Sequence, residues 1–482
     1  MRDAKSGAGV SRREWLGGAL ALTAAARFAP LRAGGNARWS AFATVRGTEQ
    51  RLAPIDPPPL ANGSGGDTLV VDPARRAQRL VGFGGALTEA SAYVLDKLPR
   101  NRRNDVLQRY YDAKDGIGYT LARTHFTSCD FSRASWSLDE EPNDTALKHF
   151  SLRPLRERQL PLIHDVYKRV GATKFKLLGS PWSPPAWMKT NGDMAHGGRL
   201  KPNLAETWAQ HYVHFARAMR DEEKLPLWAL TVQNEPDAAQ PWESCLYSPY
   251  EERGFIADAL GPALEEAKLG VQLFGWDHNR NGLEERANVL LGDARSAKYL
   301  AGLAVHWYQT EDFAASRRVL QRFPDAQILF TEGCAEGGPH RDAWEPAERY
   351  ARNIIGDLSN GVCGWIDWNI ALDLAGGPNH VGNFCHAPVL IDTERGEAHF
   401  QPSFHYIAHF SKFAPPGSTV LTLGDIPAGL QALAFATPDE ALVAVVCNPG
   451  DAARDFALDL GGERRACSIP GHAIQTYRKA RD

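Results

Sequence analysis

Short apolar runs alternate with longer amphipathic segments from about residue 78 onward. The amphipathic segments, for example residues 204–220 and 249–268, have the spacing of surface helices. This alternation is typical of parallel strands joined by helices. It predicts eight strands, at residues 80–86, 118–123, 174–179, 228–233, 271–275, 302–306, 328–331 and 362–368.

Eight strand–helix units over residues 76–413 predict an α/β protein with a (β/α)8 TIM barrel and enlarged loops. A doubly wound parallel sheet is the competing topology, and it normally carries a glycine-rich phosphate turn. The run Gly82-Phe83-Gly84-Gly85 does not supply one, because Leu87 occupies the third glycine position. The barrel is therefore favoured.

The pattern changes after residue 413 to short β-rich runs about ten residues apart. Turn residues separate these runs, and they predict an additional antiparallel β-sandwich domain over residues 414–482. Residues 34–75 are rich in Pro and Gly and are predicted to be a linker with strands that join this domain, one of them at residues 39–45. The predicted C-terminal strands are residues 419–423, 430–436, 441–446, 455–460 and 474–477.

Residues 1–33 have the pattern of a twin-arginine export signal. Arg12-Arg13 precede an apolar stretch that runs to Ala26, and Leu31-Arg32-Ala33 is a candidate cleavage site. The apolar stretch is too short to cross a bilayer, which takes about 20 residues. We therefore expect a periplasmic or secreted protein without an integral membrane segment; a disordered tail with a chance Arg pair is the alternative.

Composition narrows the class of partner. The chain of 482 residues carries a net charge of −3, and loss of the signal, with its six Lys/Arg and two Asp/Glu, would change this to −7. Such a protein is a poor partner for nucleic acid. The 13 Trp fit carbohydrate binding, because indole faces stack on sugar rings, although most of them are expected in the core. The seven cysteines show no C-x-x-C spacing.

Two carboxylates stand where predicted strands end. Glu235 lies in Gln233-Asn234-Glu235-Pro236 after the strand at 228–233, and Glu332 follows the strand at 328–331. Parallel barrel strands deliver such residues to one mouth, and a carboxylate pair is what glycoside hydrolysis requires. Asn234 adds a donor and an acceptor for a sugar hydroxyl.

Aromatic residues follow other predicted strands. His306 and Tyr308 end the sixth strand as candidate substrate-binding residues, with a plain core role as the alternative. Trp368 ends the eighth strand as a candidate floor for a sugar, whereas Trp365 is expected to face the helices. Residues 180–191 form a Pro-rich and Trp-rich loop, which suits either a binding loop or a structural turn.

The sequence offers little for other chemistry. There is no H-E-x-x-H motif and no G-x-S-x-G elbow. Asp277-His278, and His380 with His386, are weak metal candidates. We expect no cofactor and no metal.

With these residues in place, the chain resembles the family 30 glycoside hydrolases, nearest to the glucosylceramidase (acid β-glucosidase) branch. The resemblance covers about residue 70 to the C-terminus. The stretches at 240–245 and 275–279 resemble bacterial members. The sequence strings on which the family resemblance rests are GFGGALTEA (82–90), SCDFS (128–132), SPWSPPAWMKTN (180–191), QNEP (233–236), AVHWY (304–308), TEGC (331–334), GWIDWN (364–369) and HFSKF (409–413).

The resemblance implies a barrel with a side β domain and hydrolysis of β-glycosides with retention. It implies Glu235 as acid/base and Glu332 as nucleophile, with Tyr308 beside the nucleophile. Glu89 stands where lysosomal relatives carry Asp, and it is a further candidate for sugar binding. The residues implied to line the sugar subsite are Trp182, Asn234, Trp368 and Asn383.

We therefore expect an exported retaining β-glucosidase or glucosylceramidase that acts on a β-glucoside or glycosphingolipid. An endo-β-glucanase or xylanase of the same family is the alternative within the class. A non-catalytic glycan-binding protein is the alternative from another class, and it would be expected to lack one of the two carboxylates. The sequence predicts no oligomeric state.

Overall fold

The computed structural model describes residues 38–61 and 67–481. The predicted signal at 1–33 and its twin arginines lie outside the described residues. The described part begins with four short strands that join the C-terminal domain: β1 (Trp39–Val45), β2 (Ala53–Ile55), β3 (Thr68–Val71) and β4 (Arg76–Arg79).

Eight parallel strands then close into a barrel, in which the last strand pairs with the first through Gly364 and Gly82. This confirms the predicted TIM barrel, and each strand overlaps its predicted range. The strands are β5 (Gly82–Ala86), β6 (Leu121–His125), β7 (Lys176–Ser180), β8 (Ala229–Thr231), β9 (Gln272–Asn279), β10 (Gly302–His306), β11 (Gln327–Glu332) and β12 (Gly364–Asp367).

Helices connect and surround these strands. In the helix at 205–221, Trp208, Tyr212, Phe215 and Met219 are buried at helical spacing, which turns one apolar face to the barrel. No helix among the described residues is long and apolar enough to cross a membrane. The helices are α1 (Glu89–Asp96), α2 (Arg100–Tyr111), α3 (Arg153–Arg156), α4 (Leu160–Val170), α5 (Ala205–Asp221), α6 (Pro249–Phe255), α7 (Gly261–Ala267), α8 (Leu283–Leu290), α9 (Ala294–Ala297), α10 (Ala314–Arg322), α11 (Glu345–Leu358) and α12 (Pro402–Ser411).

The barrel interior is a packed core. Inward side chains such as Leu121, Phe274 and Leu329 fill it and are fully buried. Gly302 allows the close approach of β10 to β11, because a Cβ there would stand 1.8 Å from the Gln327 carbonyl oxygen.

The C-terminal strands form the β domain. They follow a small sheet of β13 (Leu372–Asp373), β14 (Val389–Asp392) and β15 (Glu397–Phe400). The strands of the β domain are β16 (Thr419–Leu421), β17 (Gln431–Ala436), β18 (Leu442–Asn448), β19 (Arg454–Leu460), β20 (Arg464–Ile469) and β21 (Ala473–Lys479). With the N-terminal strands they form a seven-stranded sheet of order β2-β1-β21-β18-β17-β16-β4 and a second sheet of order β20-β19-β3.

The β domain is joined to the barrel through α12. The buried His409 on this helix hydrogen-bonds Thr44 of β1 at 2.9 Å and Thr476 of β21 at 2.8 Å. Burial lowers the pKa of His409 to about 3, so the imidazole is neutral at physiological pH and links the two hydroxyl groups.

Several elements differ from the sequence prediction, among them β4, β20 and the helix predicted at 249–268. Strand β4 contains Arg, Ala, Gln and Arg, and β20 begins with two Arg, so neither has the apolar run that marks a strand. The helix predicted at 249–268 is divided by a π-helical turn at Ile256–Leu260. Pro262 follows this turn and has no N–H to donate, which prevents a regular helix there.

A buried ion pair ties the loop after β9 to α11. Arg280 and Asp357 are fully buried and form two hydrogen bonds of 2.8 and 2.6 Å. Asp357→Ala would leave a buried, uncompensated guanidinium, so we expect the free energy of unfolding to fall by about 3–5 kcal/mol in denaturant titrations. Asp312→Ala, which breaks an exposed pair with Arg318, is the matched control and should change little. Equal losses in the two variants would contradict this account.

Candidate active site

A cavity of about 470 Å³ opens at the carboxyl ends of the barrel strands. Glu235 enters it from the loop after β8 and Glu332 from the last position of β11. Of the nine residues predicted for the site, seven line the cavity and two, Glu89 and His306, do not. The seven are Trp182, Asn234, Glu235, Tyr308, Glu332, Trp368 and Asn383.

Glu332 is held at both carboxylate oxygens. Tyr308 donates its hydroxyl to Oε1 at 2.8 Å, and Arg123 donates Nη1 to Oε2. Charge-assisted bonds of this kind favour the ionised carboxylate and fix its direction. Glu332 is therefore arranged as an oriented anion at the cavity wall.

Arg123 is the centre of the polar network beneath the cavity. It is fully buried on β6 and donates to Asn234 and Asp277 at 2.8 Å each, besides its bond to Glu332. Asp277 also accepts from Thr331 at 2.7 Å. Burial alone would raise the pKa of Asp277, but Arg123, His306 and Thr331 together outweigh burial and hold that pKa below its usual range.

Glu235 has a different environment. Its backbone lies in the left-handed region, with φ of 48°, and its N–H donates to the Asp277 carbonyl at 3.0 Å. Its Oε1 lies 3.1 Å from His306 Nδ1 and 3.6 Å from His278 Nδ1. Burial alone would raise the pKa of Glu235, but the two histidines together lower it below its usual range.

His306 takes the complementary proton. It bridges Glu235 through Nδ1 and Asp277 through Nε2, at 3.1 Å each. Although burial opposes the charge, Glu332, Asp277 and Glu235 together raise the pKa of His306 to about 9. A proton between Glu235 and His306 therefore belongs to the pair and rests on the imidazole. His306 lies behind Glu235 and not in the cavity wall, so it contacts Glu235 rather than the cavity.

Two tryptophans form the aromatic wall. Trp182 from the loop after β7 and Trp368 after β12 stack with ring centroids 5.2 Å apart. The Arg123 guanidinium lies 4.8 Å from the Trp182 ring, which is a cation–π contact. Trp365 instead packs outside the barrel, where it stacks on Phe330 at 4.4 Å. Of the two tryptophans near β12, Trp368 therefore contributes to the aromatic wall and Trp365 does not, as the alternation of side chains along the strand indicates.

Glu89 does not reach the cavity. It is the first residue of α1, and its carboxylate is bound by Trp136 Nε1 at 3.0 Å and Arg158 Nε at 3.3 Å. The acid that lines the cavity on this side is Asp130, from the loop after β6. Asp130 accepts from Asn379 and Asn383 through one oxygen, Oδ2, at 3.1 and 2.9 Å, so Oδ1 remains for a ligand.

The position of Asp130 also changes its acidity. Burial raises its pKa to about 7, although hydrogen bonds from Asn383 and Asn379 oppose the shift and Glu332 adds to it. The resemblance pointed to Glu89, which stands where lysosomal relatives carry Asp, whereas Asp130 lies in the string SCDFS (128–132). Only the fold shows which of the two acids faces the cavity. Arg123 was also missed, although a charged residue inside an apolar strand is a usable signal.

One group of side chains has the composition of a metal site. The ligand atoms of Glu235, His278 and His306 all lie within 4.8 Å of one another. The weak sequence candidate Asp277-His278 therefore contributes only its histidine. The other weak candidates, His380 and His386, do not belong to this group.

The chain matches known proteins over both domains. Residues 80–414 match the description "Glycosyl hydrolase family 30 TIM-barrel domain", and residues 417–477 match "Glycosyl hydrolase family 30 beta sandwich domain". The chain is 35% identical to the lysosomal acid glucosylceramidase of Mus musculus, over 86% of this chain and 84% of the relative. It is 27% identical to the endo-1,6-beta-D-glucanase of Neurospora crassa, over 84% and 87%.

A solved structure shares the whole architecture. SrfJ from Salmonella typhimurium superimposes with a TM-score of 0.87 and 30% identity, covering 92% of this chain and 100% of that one. The agreement extends across the barrel and the β domain together.

Asp130 and Glu89 can be distinguished by substitution. Asp130 is charged above its pKa of about 7, so in that pH range Asp130→Asn removes the charge that faces the cavity. There we expect kcat/KM for an aryl β-glucoside to fall roughly 10–100-fold, as for the loss of a charged hydrogen bond worth about 1.5–3 kcal/mol. Glu89→Gln keeps the bond to Trp136 and should stay close to the unsubstituted enzyme. A larger loss of kcat/KM in Glu89→Gln than in Asp130→Asn would instead assign sugar binding to Glu89.

Proposed function

Because the chain belongs to glycoside hydrolase family 30, we propose that it is a retaining β-glucosidase that works by a two-step covalent mechanism. Family membership makes it a glycosidase. The observation that carries the finer proposal is the contrast between the two carboxylates of the cavity: Glu332 is held as an anion by Arg123 and Tyr308, whereas Glu235 shares a proton with His306.

In the first step Glu332 attacks the anomeric carbon and forms a glycosyl–enzyme bond. Glu235 gives its proton to the leaving oxygen as the bond to the aglycone breaks. His306 supplies that proton across the 3.1 Å contact, because it carries the shared proton before the substrate binds. The developing positive charge on the sugar faces the carboxylate of Glu332.

In the second step Glu235 removes a proton from water, which attacks the anomeric carbon. The bond to Glu332 breaks, and the sugar leaves with its original configuration. Arg123 and Tyr308 stabilise Glu332 as it regains its negative charge. Arg123 and Tyr308 therefore bind the same carboxylate, that of Glu332, when it attacks in the first step and when it leaves in the second.

The substrate we propose is a β-glucoside, with ceramide as the first candidate aglycone. This rests on the 35% identity to a glucosylceramidase over most of both chains. The sugar would lie against the stacked Trp182 and Trp368, with Asp130 and Asn383 at its hydroxyl groups. These contacts recognise the glycone, and the aglycone would lie in the outer part of the cavity.

An endo-β-1,6-glucanase is the second candidate. Besides the two carboxylates and the stacked tryptophans, the cavity is lined by amide side chains and two further tryptophans, a surface that suits a second sugar ring. A relative of this name is 27% identical. These lining residues are Gln240, Trp242, Trp276, Asn279, Asn281 and Gln309.

The roles of the two carboxylates are separable by azide rescue. Glu235→Ala should keep fast glycosylation by a dinitrophenyl β-glucoside, since an activated phenol leaves without the general acid help that is worth about 10²–10⁴-fold. Azide should then give the β-azide, whereas Glu332→Gly with azide should give the α-azide; NMR of the products reads the assignment. Glu284→Ala, on the exposed surface, is the control and should retain full activity. Swapped azide configurations would exchange the two roles.

The aglycone is tested by product analysis on glucosylceramide in detergent and on a linear β-1,6-glucan. An exo-acting β-glucosidase should release glucose as the first product from both, because such an enzyme removes one terminal sugar in each turnover. Early release of oligosaccharides from the glucan would instead establish endo action. The time course of products by chromatography distinguishes the two outcomes.

A further inference from the structure

His278 is a buried imidazole at the cavity wall without a complete set of partners. Its side chain is 8% exposed, and its Nδ1 has no hydrogen-bond partner among the described residues. That atom faces Glu235 Oε1 at 3.6 Å, which is too long for a hydrogen bond. A buried polar atom left unpaired is costly, so this position favours a ligand that can engage it.

His306 presents its Nδ1 to the same oxygen of Glu235. Its other nitrogen, Nε2, faces Asp277 Oδ1 at 3.1 Å. Because a carboxylate can only accept, Nε2 carries the hydrogen of this bond and Nδ1 is directed at Glu235. Metal-binding histidines have this arrangement, with a carboxylate on the far nitrogen that fixes the tautomer and raises the basicity of the ligand.

The distances from Glu235 to the two histidines suit a tetrahedral ion. Two ligands that each lie about 2.0–2.1 Å from a tetrahedral Zn²⁺ are roughly 3.3–3.4 Å apart. The distances from Glu235 Oε1 to the two nitrogens, 3.1 and 3.6 Å, lie on either side of that value. Glu235 and His278 line the cavity, so an ion can reach them, and the cavity provides room for a fourth ligand such as water.

The charges around the cluster favour a divalent cation. The cluster and its neighbours carry three carboxylates, those of Glu235, Asp277 and Glu332, and one guanidinium, that of Arg123, which pairs with Asp277 and Glu332. With a neutral His306, two negative charges are uncompensated. A divalent ion in place of the shared proton would neutralise both.

We propose that Glu235, His278 and His306 bind a divalent transition-metal ion such as Zn²⁺, and that the bound ion inhibits hydrolysis by occupying the acid/base carboxylate. Two imidazoles and a carboxylate are typical ligands of Zn²⁺ and similar ions. The inhibition rests on the proposed function of Glu235, whereas the binding does not. The ion is an inhibitor here and takes no part in the reaction.

Binding is tested by titration calorimetry of the metal-free full chain with ZnCl₂. One ion per chain is expected, and His278→Gln should weaken binding at least about tenfold, since the loss of even an outer partner of a metal site costs about 10–100-fold. His196→Gln is the matched control, because that imidazole is exposed on the barrel surface. Unchanged affinity in His278→Gln would overturn the site.

Inhibition is tested on hydrolysis of an aryl β-glucoside, with each variant compared with its own rate in EDTA. Zn²⁺ should inhibit reversibly, and His278→Gln should raise the half-inhibitory concentration at least about tenfold. Tight binding without inhibition would overturn the inhibitory part and contradict the acid/base role of Glu235. The calorimetric result separates this outcome from failure of the site itself.

Two thiols in the same cavity are the competing ligands. Cys334 and Cys385 both line it and are reduced. The double variant Cys334→Ser/Cys385→Ser should keep the Zn²⁺ affinity, and bound Co²⁺ should show no thiolate charge-transfer band. Loss of binding in the double variant would overturn the assignment to the histidines.

Discussion

The buried guanidinium of Arg123 is the interaction on which the rest of the site depends. It lies on β6 and donates to Ser180, Asn234, Asp277 and Glu332, which come from four other strands or the loops that follow them. A cation so deep in a barrel is stable only when its donors are satisfied and its charge is paired. The need to satisfy it therefore brings separate segments of the chain to fixed positions around one point.

This single cation also makes the two carboxylates unequal. Glu332 accepts a hydrogen bond from Arg123 directly. Glu235 instead contacts His306, and Asp277 holds the other ring nitrogen of that histidine. Two chemically identical groups thus acquire an anionic and a proton-bearing role from their surroundings alone. The same arrangement of imidazole and carboxylate that moves a proton is also a ligand set for a metal, and the two uses compete for the same atoms.

Most of the barrel could be predicted from the sequence because buried parallel strands appear in it as continuous apolar runs. Strands whose stability comes from pairing at a sheet edge, such as β4 with Arg76 and Arg79, leave no such run. The π-helical turn before Pro262 was hidden in the same way, since a helical pattern continues on both sides of it. Local pattern therefore predicts the elements that bury apolar surface and misses those defined by their neighbours.

The sequence by itself determined the eight-stranded barrel, the β domain and the two strand ends that carry Glu235 and Glu332. Only the tertiary structure decided that Asp130 and not Glu89 faces the cavity, that His306 lies behind Glu235, and that His278 joins them. The physical reason is that hydrophobic periodicity is local, whereas the direction of a polar side chain after a strand depends on partners far away in the chain. Those partners exist only once the barrel has closed.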